Sequence, residues 1–366
     1  MMNIKLETLT PVHIGSGETL QHKTDFVIGK DEDGSSALGI IDIDKVIKLI
    51  GSENIDKWVS AIERKESTDD TVKIYAPKAS ISDYSKRIIS LWTSVKETDT
   101  LKEQIHDGLG RPYIPGSSIK GAIRTAVLSS LAKQKTELEQ FLTKANAKEI
   151  ERKFFGDNPK SDIFRFLQVG DAFFGNNYEI ALRLVNINER NKQSFWDTSK
   201  AQLIEAIVPE DESLFRLKLD LDNYDRARKK VHQLPECMNS ISALFQTINT
   251  HTCLLLEDEI NLWEERKDND ESEKVDIYIE KINAIYDKVK SCQSGVSCIL
   301  RIGHGSGWRF ITGAWTEALP AFKEKVIPAS RPNNSRYEEY FFPKTRRIDS
   351  DECELLGFVK LTNIKE

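Results

Sequence analysis

Two histidines stand beside glycine-rich segments near opposite ends of the 366-residue chain. His13 precedes Gly15-Ser16-Gly17, and His304 lies within Gly303-His304-Gly305-Ser306-Gly307. Imidazole gains and loses a proton near neutral pH, so the two side chains would suit a general acid and base for metal-independent RNA cleavage if the fold brings them together. Histidines in loops more often donate or accept hydrogen bonds or contact RNA, and that alternative stays open.

The late glycine-rich segment follows a predicted strand and has the spacing Gly303-x-Gly305-x-Gly307. A dinucleotide-binding loop needs a third glycine where this chain has Trp308, so the pattern argues against that cofactor. Glycine amides can approach a phosphate closely, and the flanking Arg301, Trp308 and Arg309 suit contact with an RNA backbone and base stacking. A tight turn with a buried tryptophan is the structural alternative.

A second pattern combines hydroxyl, basic and glycine residues at a predicted helix start, in Gly116-Ser117-Ser118-Ile119-Lys120-Gly121-Ala122-Ile123-Arg124. Lys120 and Arg124 fall one turn apart on the polar face, as in a phosphate-binding helix end, although a well-capped surface helix is the alternative. Gly121 costs about 1 kcal/mol of helix propensity, which indicates that a strand or a ribose phosphate approaches there. Ser117-x-x-Lys120 also matches an acyltransferase nucleophile motif, whose partner motifs are incomplete here.

The sequence contains no recognised metal-binding or cofactor-binding motif. The six histidines lack His-Glu-x-x-His spacing, and the five cysteines form no Cys-x-x-Cys pair, so we expect reduced thiols, no metal and no cofactor. No stretch has the roughly 18 to 20 uninterrupted apolar residues of a membrane span, and the amino terminus lacks the apolar core of a signal peptide. We therefore expect a cytoplasmic protein with no membrane contact.

The net charge of −6 is unevenly distributed along the chain. Residues 257–290 contain 12 acidic and 6 basic residues, so the remainder is balanced at 46 against 46. Basic clusters therefore exist despite the acidic average, and they suit a polyanionic partner. They are Arg226, Arg228, Lys229 and Lys230, and then Lys344, Arg346 and Arg347.

Strands and helices interleave irregularly along the sequence. Alternation predicts a strand over 3–14 ending at Gly15, a strand pair at 26–28 and 38–41, a helix from the Asp42 cap to Ile50, and strands over 163–174, 178–187 and 201–221. Helical periodicity follows Gly116 and returns over 238–256 and 275–289, and final strands are predicted at 296–302 and 355–361. This pattern favours an α+β fold of two ferredoxin-like (RRM-like) β-α-β-β-α-β modules with helical insertions. We expect one module over 1–150 and a second over 151–366, with a helical insert at about 236–292 and the glycine-rich loop at 303–307.

Four segments together resemble the RAMP superfamily of CRISPR proteins. They are Thr10 to Gly17, Tyr113 to Thr125, Arg301 to Trp308, and Pro343 to Arg347 before a closing Leu356-Gly357-Phe358-Val359-Lys360-Leu361. The first two resemble motifs of many RAMP proteins. The Lys-Thr-Arg-Arg segment and the helical insert resemble more narrowly the subunit that caps the backbone filament of the type III-A (Csm) effector complex.

This resemblance implies a subunit without catalytic residues that binds the 3′ portion of the CRISPR RNA (crRNA), caps the filament there, and supports crRNA maturation and antiviral defence. The implied partners are crRNA, target RNA, other RAMP backbone subunits and small helical subunits of the complex, and host trimming nucleases. A metal-independent RAMP endoribonuclease that processes repeat RNA is the alternative. The expected RNA-binding residues are His13, Gly15, Ser16, Arg111, Ser117, Ser118, Lys120, Arg124, Arg301, Gly303, His304, Gly305, Gly307, Trp308, Arg309, Lys344, Arg346 and Arg347.

Overall fold

The structure is a computed structural model that describes residues 2–133, 147–175, 179–188, 196–265, 272–311, 315–317, 322, 324 and 345–364. Its strands are β1 (Met2–Thr8), β2 (Gly15–Gln21), β3 (Phe26–Lys30), β4 (Ser36–Ile41), β5 (Ser85–Leu91), β6 (Thr100–Gln104), β7 (Tyr113–Ile114), β8 (Leu167–Val169), β9 (Ala172–Phe173), β10 (Glu179–Asn188), β11 (Trp196–Ile207), β12 (Glu212–Leu219), β13 (Ser297–Arg301), β14 (Thr345–Asp349) and β15 (Phe358–Ile364). Its α-helices are α1 (Ile43–Ile50), α2 (Ile55–Glu63), α3 (Thr68–Tyr75), α4 (Ile81–Tyr84), α5 (Gly116–Lys133), α6 (Ala147–Phe155), α7 (Leu221–Ala227), α8 (Ile241–Glu264) and α9 (Ser272–Lys290). Short 3-10 helices cover Ser52–Asn54, Ile163–Phe166, Glu236–Met238 and Trp308–Phe310.

The first sheet has the strand order β13-β15-β1-β12-β8, and its neighbouring strands are antiparallel. In β1, Ile4 and Leu6 are fully buried because alternate side chains of a strand point to the same face. The series β1, α5, β8, β12, α8, β15 follows the β-α-β-β-α-β order of a ferredoxin-like module. The α+β class predicted from the sequence is confirmed.

The second sheet has the order β2-β6-β11-β10-β5-β4-β3, and β14 pairs with β10. Two of its strand pairs, β5 with β10 and β6 with β11, are parallel, whereas the neighbouring strands of the first sheet are all antiparallel. Both sheets contain strands from either side of residue 150, and the boundary between the sheets therefore does not coincide with that position.

The cores lie between these sheets and their helices. The largest packs α5 and the first turns of α8 on the first sheet, around Ile4, Ile123 and Phe245. A second packs α9 and the end of α8 beside Ile299 and Phe358, which belong to the opposite face of the same strands. A third joins α1 to α4 with β3 and β4.

Among the described residues, no helix is long and apolar enough to span a bilayer.

Several local predictions agree with the structure and others differ for identifiable reasons. The strands β3, β4 and β13 and the helices α1, α5, α8 and α9 lie where periodicity predicts them, and Asp42 caps α1 by accepting a hydrogen bond from the backbone N–H of Lys45 at 3.2 Å. Gly15-Ser16-Gly17, predicted as a loop, begins β2, where an irregular register against β6 accommodates the positive φ of Gly17. The predicted strand 201–221 is interrupted between Ile207 and Glu212, because Pro209 cannot donate a ladder hydrogen bond.

Two glycines of α5 provide a matched stability test. A Cβ on Gly116 would lie 2.2 Å from the backbone oxygen of Val169, whereas one on Gly121 would meet nothing within 4 Å. We expect Gly116→Ala to lower the free energy of unfolding by about 1–3 kcal/mol, because overpacking displaces backbone. Gly121→Ala should raise it by up to about 1 kcal/mol, because alanine is the better helix former. Urea unfolding measures both, and equal effects of the two substitutions would contradict the packing argument.

Candidate nucleic-acid interface

The fold brings His13 and His304 together, although 290 positions separate them in the sequence. His13 lies between β1 and β2, and His304 follows β13 in the glycine-rich loop. The backbone N–H of His304 donates to the His13 carbonyl at 2.9 Å, and the two ring centroids are 5.7 Å apart in an edge-on arrangement. The first sheet carries both segments, because β15 lies between β1 and β13.

This close approach depends on Gly303. Its φ of +77° is disfavoured for residues that carry a Cβ, and a Cβ there would lie 2.4 Å from the His13 carbonyl oxygen. Gly305 and Gly307 also have positive φ, at +86° and +82°. The three glycines therefore allow a tight backbone path, and this path packs the loop against the His13 segment.

Both imidazoles are held neutral. His13 is 2% exposed, and its Nδ1 lies 2.5 Å from the Glu205 carbonyl oxygen, to which it donates. Burial lowers the pKa of His13 to about 4. Burial also lowers the pKa of His304 to about 4, assisted by the nearby charge of Arg347. At neutral pH the pair is uncharged, which suits hydrogen bonding better than proton donation.

Cationic side chains surround the pair. Arg347 of β14 contacts His304 Nε2 and lies 3.3 Å from Gln202 Oε1, which itself lies 2.9 Å from His304 Nε2. Lys102 of β6 is close enough to both histidines to lower the pKa of each. Two positive charges beside neutral imidazoles and glycine amides are an arrangement that attracts an anion such as a phosphate.

The start of α5 lies at the same end of the molecule. The Ile14 amide donates to Gln104 Oε1 at 2.8 Å, and the Gln104 side-chain amide donates to the carbonyl of Tyr113, shortly before α5 begins. Ser117 and Gly121 are exposed, and a Cβ placed on Gly121 would have no described residue within 4 Å. The predicted approach of a strand at Gly121 is therefore not found among the described residues, and this face of α5 is open. Lys120 is half-buried, which lowers the pKa of its amine.

The remaining predicted arginines are largely engaged within the protein. Arg124 pairs with Glu151 and Asp162, each at 2.9 Å, and stacks over two phenylalanine rings. Arg301 donates to the Leu356 carbonyl at 2.8 Å. Arg309 and Arg346 both contact Glu259 of α8. These side chains stabilise the site's framework, and the described contacts do not place them on an open surface.

Four other predicted residues have different surroundings, and a fifth lies outside the described residues. Arg111 is exposed in the turn after β6 and pairs with Asp107 at 2.7 Å. Ser16 is exposed in β2 and donates to Glu103 at 3.1 Å. Trp308 is partly buried and packs against the first core, with its ring 5.8 Å from that of Phe322. Ser118 is partly exposed, and Lys344 lies outside the described residues.

Lys102, Gln202 and Glu205 contribute to the interface but are absent from the set predicted from the sequence. They lie in β6 and β11, and side-chain alternation predicts only which residues of one strand share a face. The pairing of Leu203 with Leu101 brings these strands together, and no local motif encodes that contact. The one signal in the sequence is Lys102, a basic residue within the otherwise amphipathic strand β6.

A buried ionic network lies beneath His13. Arg87 contacts Glu205 at 2.9 Å and Glu103 at 3.3 Å, and His106 lies 2.9 Å from Glu179. Burial and the neighbouring Glu179 raise the pKa of Glu205. Glu103, His106 and Glu205 are close enough together to ligate a metal ion, but Arg87 would first have to leave two of the three. The network is thus a support for the His13 segment.

The burial of His13 predicts a pH-dependent stability. Its pKa is about 4 in the folded chain and about 6.5 when unfolded, so the unfolded state binds more protons between those values and the free energy of unfolding falls as the pH is lowered. Between pH 7 and pH 5 we expect the free energy of unfolding of the natural chain to fall by about 2 kcal/mol more than that of His13→Asn. This substitution keeps a donor for the Glu205 carbonyl. Urea unfolding at both pH values measures this. His232→Asn, on a partly exposed loop, is the control, and equal pH dependence of the two variants would contradict the assignment.

Two known proteins are similar in sequence to part of this chain. The "CRISPR system Cms protein Csm5" of Methanocaldococcus jannaschii is 30% identical over 185 residues, which cover 47% of this chain and 42% of the relative. The protein of the same description from Enterococcus italicus is 26% identical over 190 residues, covering 45% of this chain and 53% of that protein. The aligned region therefore spans about half the length of these relatives.

Solved structures share the fold over the whole chain. A chain of the cryo-EM structure of a Csm-crRNA-target RNA ternary complex from a type III-A CRISPR-Cas system superimposes with a TM-score of 0.71 at 18% identity and full coverage of both chains. The crystal structure of T. onnurineus Csm5 gives a TM-score of 0.69 at 18% identity, covering 97% of this chain and 99% of that one. Residues 5–310 match the RAMP superfamily. Since that match includes the His13 segment, α5 and the glycine-rich loop, the chain belongs to the RAMP superfamily.

Proposed function

We propose that the chain is a non-catalytic, crRNA-binding subunit of a type III-A CRISPR effector complex. In this proposal it binds the 3′ portion of the crRNA, caps the backbone filament there, and supports crRNA maturation. The observation that carries the proposal is the junction of two glycine-rich segments, where neutral His13 and His304 lie beside Lys102 and Arg347. Such a site binds phosphate without recognising sequence, because phosphates are the same at every nucleotide.

The relatives support this assignment. Two are Csm5 proteins by description, and the structure with a TM-score of 0.71 comes from a complex that contains crRNA and target RNA. We therefore propose crRNA, target RNA and the other Csm subunits as partners, with trimming nucleases acting on the RNA that the complex leaves exposed. The acidic residues of α8 and α9 would then face away from the RNA, since like charges repel.

A metal-independent endoribonuclease is the second candidate, and the proximity of His13 and His304 favours it. Cleavage by an acid and base pair needs one imidazole protonated and one neutral. A group with a pKa of about 4 is protonated in only about one molecule in a thousand at pH 7. His304 Nε2 also contacts the permanently charged Arg347, which opposes a second positive charge there. RNA binding without cleavage therefore fits the site better.

Native purification of the tagged chain tests both candidates. Sequencing of co-purifying RNA and mass spectrometry of co-purifying proteins should recover short repeat-derived RNAs together with several RAMP subunits. The purified material should not shorten added repeat RNA in EDTA. Recovery of the chain alone, with cleavage in EDTA that disappears in His304→Ala, would replace the binding proposal with the endoribonuclease.

A further inference from the structure

Four basic side chains form a cluster that the histidine site does not use. Arg226 lies in the last turn of α7, and Arg228, Lys229 and Lys230 follow it in the next loop. All four are exposed. Within the part of the chain that the structure describes, their side chains make no ion pair, hydrogen bond or ring contact.

Some exposed cations of this protein have a carboxylate partner, unlike these four. Exposed Lys73 pairs with Asp69, and exposed Arg64 pairs with Glu66. Two carboxylates, Asp222 and Asp225, share α7 with the cluster, yet neither forms an ion pair with it. The concentrated positive charge is therefore available to an external anion.

The fold holds the cluster in a defined place. The hydroxyl of Tyr224 accepts a hydrogen bond from the Leu234 amide at 2.8 Å, which ties the loop after α7 back to the helix. The Tyr224 ring packs edge-on against Phe166 at 5.5 Å. Arg165, next to Phe166, is exposed, and its guanidinium donates to the Lys160 carbonyl and lies over the Phe166 ring, so it extends the same basic surface.

A groove adjoins the loop. Its volume is about 420 Å³, and α5, α6 and the segment 232–237 form its walls. Its polar lining includes Lys153, His232 and Glu236, and Phe154 presents a partly exposed ring. A groove that combines a lysine with an aromatic ring beside a basic loop suits a single-stranded nucleic acid, because phosphates meet the cations and a base can stack on the ring.

This surface is separate from the histidine site. β1 and β12 are antiparallel, with Met2 opposite Leu217 and Glu7 opposite Glu212. α7 follows the Leu219 end of β12 and lies beside the start of β1, whereas His13 follows the opposite end of β1. The length of β1 alone separates the two ends by about 20 Å, from a rise of about 3.3 Å per residue.

We propose that residues 226–230, with Arg165 and the groove lined by Lys153, Phe154 and His232, form a second single-stranded RNA-binding surface. This inference rests on the proposed function, since it assigns a further stretch of the same RNA to the chain. An RNA long enough to reach both ends of the sheet contacts both surfaces, and a short RNA occupies one. The contact is with phosphates, so it is strongly dependent on salt and independent of sequence.

Fluorescence anisotropy with the full chain tests the inference, using a short and a long labelled single-stranded RNA over a range of salt concentrations. The variant carries Arg226→Ser, Arg228→Ser, Lys229→Ser and Lys230→Ser. The matched control carries Lys30→Ser, Lys48→Ser, Lys78→Ser and Lys86→Ser, which removes the same charge from exposed sites elsewhere. We expect the variant to lower the salt slope for the long RNA by about 3, because each single-strand phosphate contact contributes about 0.7.

The outcomes distinguish this inference from the function on which it rests. A control that binds the long RNA like the natural chain, together with weaker binding by the variant, supports the second surface. Equal binding by variant and control overturns it, while loss of binding in a Lys102→Ser, Arg347→Ser chain would still uphold the first site. If no chain binds RNA, the proposed function itself fails. If the variant binds RNA normally but no longer retains a protein subunit in the purified complex, the surface docks protein and the inference is overturned.

Discussion

Glu259→Gln is expected to lower the free energy of unfolding by about 3–5 kcal/mol, since it removes the negative charge that two buried guanidinium groups share. Glu259 Oε2 lies 3.0 Å from Arg346 Nη2 and 3.6 Å from Arg309 Nη1. Its other oxygen contacts Arg346 and accepts hydrogen bonds from the Trp263 indole at 2.8 Å and the Tyr278 hydroxyl at 3.1 Å. One carboxylate therefore joins α8, α9, β14 and the helical turn after the glycine-rich loop.

The pKa of Glu259 shows how strongly its carboxylate interacts with the neighbouring arginines. Burial by itself would raise its pKa, but the two arginines overcome that effect and lower the pKa to about 2. A neutral glutamine keeps the shape of the side chain and removes the charge. The substitution therefore isolates the electrostatic contribution from packing.

Urea unfolding measures the expected loss. Asp258→Asn makes the same chemical change at the neighbouring exposed position of α8, and we expect it to alter the free energy of unfolding by less than about 0.5 kcal/mol. Glu259→Gln combined with Arg346→Met should destabilise by less than the sum of the single changes, because it removes both members of the pair. A loss no larger than that of Asp258→Asn would show that the Glu259 charge does not stabilise this junction.

Lys102→Ser combined with Arg347→Ser is expected to weaken single-stranded RNA binding by about 100-fold, from two charge-assisted contacts of about 1.4 kcal/mol each. These are the cations that act on the electrostatics of the histidine pair. The dependence of the logarithm of the binding constant on the logarithm of salt concentration should fall by about 1.4. Anisotropy at several salt concentrations measures both quantities.

Two further variants separate charge from structure in this experiment. Lys30→Ser combined with Lys86→Ser removes two exposed charges elsewhere and should leave affinity within a few-fold of the natural chain. Arg347→Lys, tested in the chain with Lys102 intact, keeps a positive charge and should retain most of the affinity, although it loses the planar guanidinium that contacts His304. RNA affinity in the doubly substituted chain equal to that of the control would exclude phosphate binding at the histidine pair.

Local sequence determined the elements that depend on near neighbours. The regular apolar spacing after Gly116 and from Val275 to Val289 predicts α5 and α9, because side chains three and four positions apart share one helix face. The glycines at 303, 305 and 307 mark a loop of special backbone shape, and all three have positive φ. The α+β class followed from these elements alone, and the motifs by themselves indicated the superfamily.

Only the tertiary structure decided which of the candidate residues meet and which remain open to a ligand. His13 and His304 adjoin because β15 pairs with both β1 and β13, a contact between distant segments that no local pattern specifies. Arg124 has the same sequence signature as a phosphate ligand, yet Glu151 and Asp162 occupy its guanidinium. Availability of a charge depends on burial and on the carboxylates that folding brings nearby, and both are properties of the assembled chain rather than of residue type and spacing.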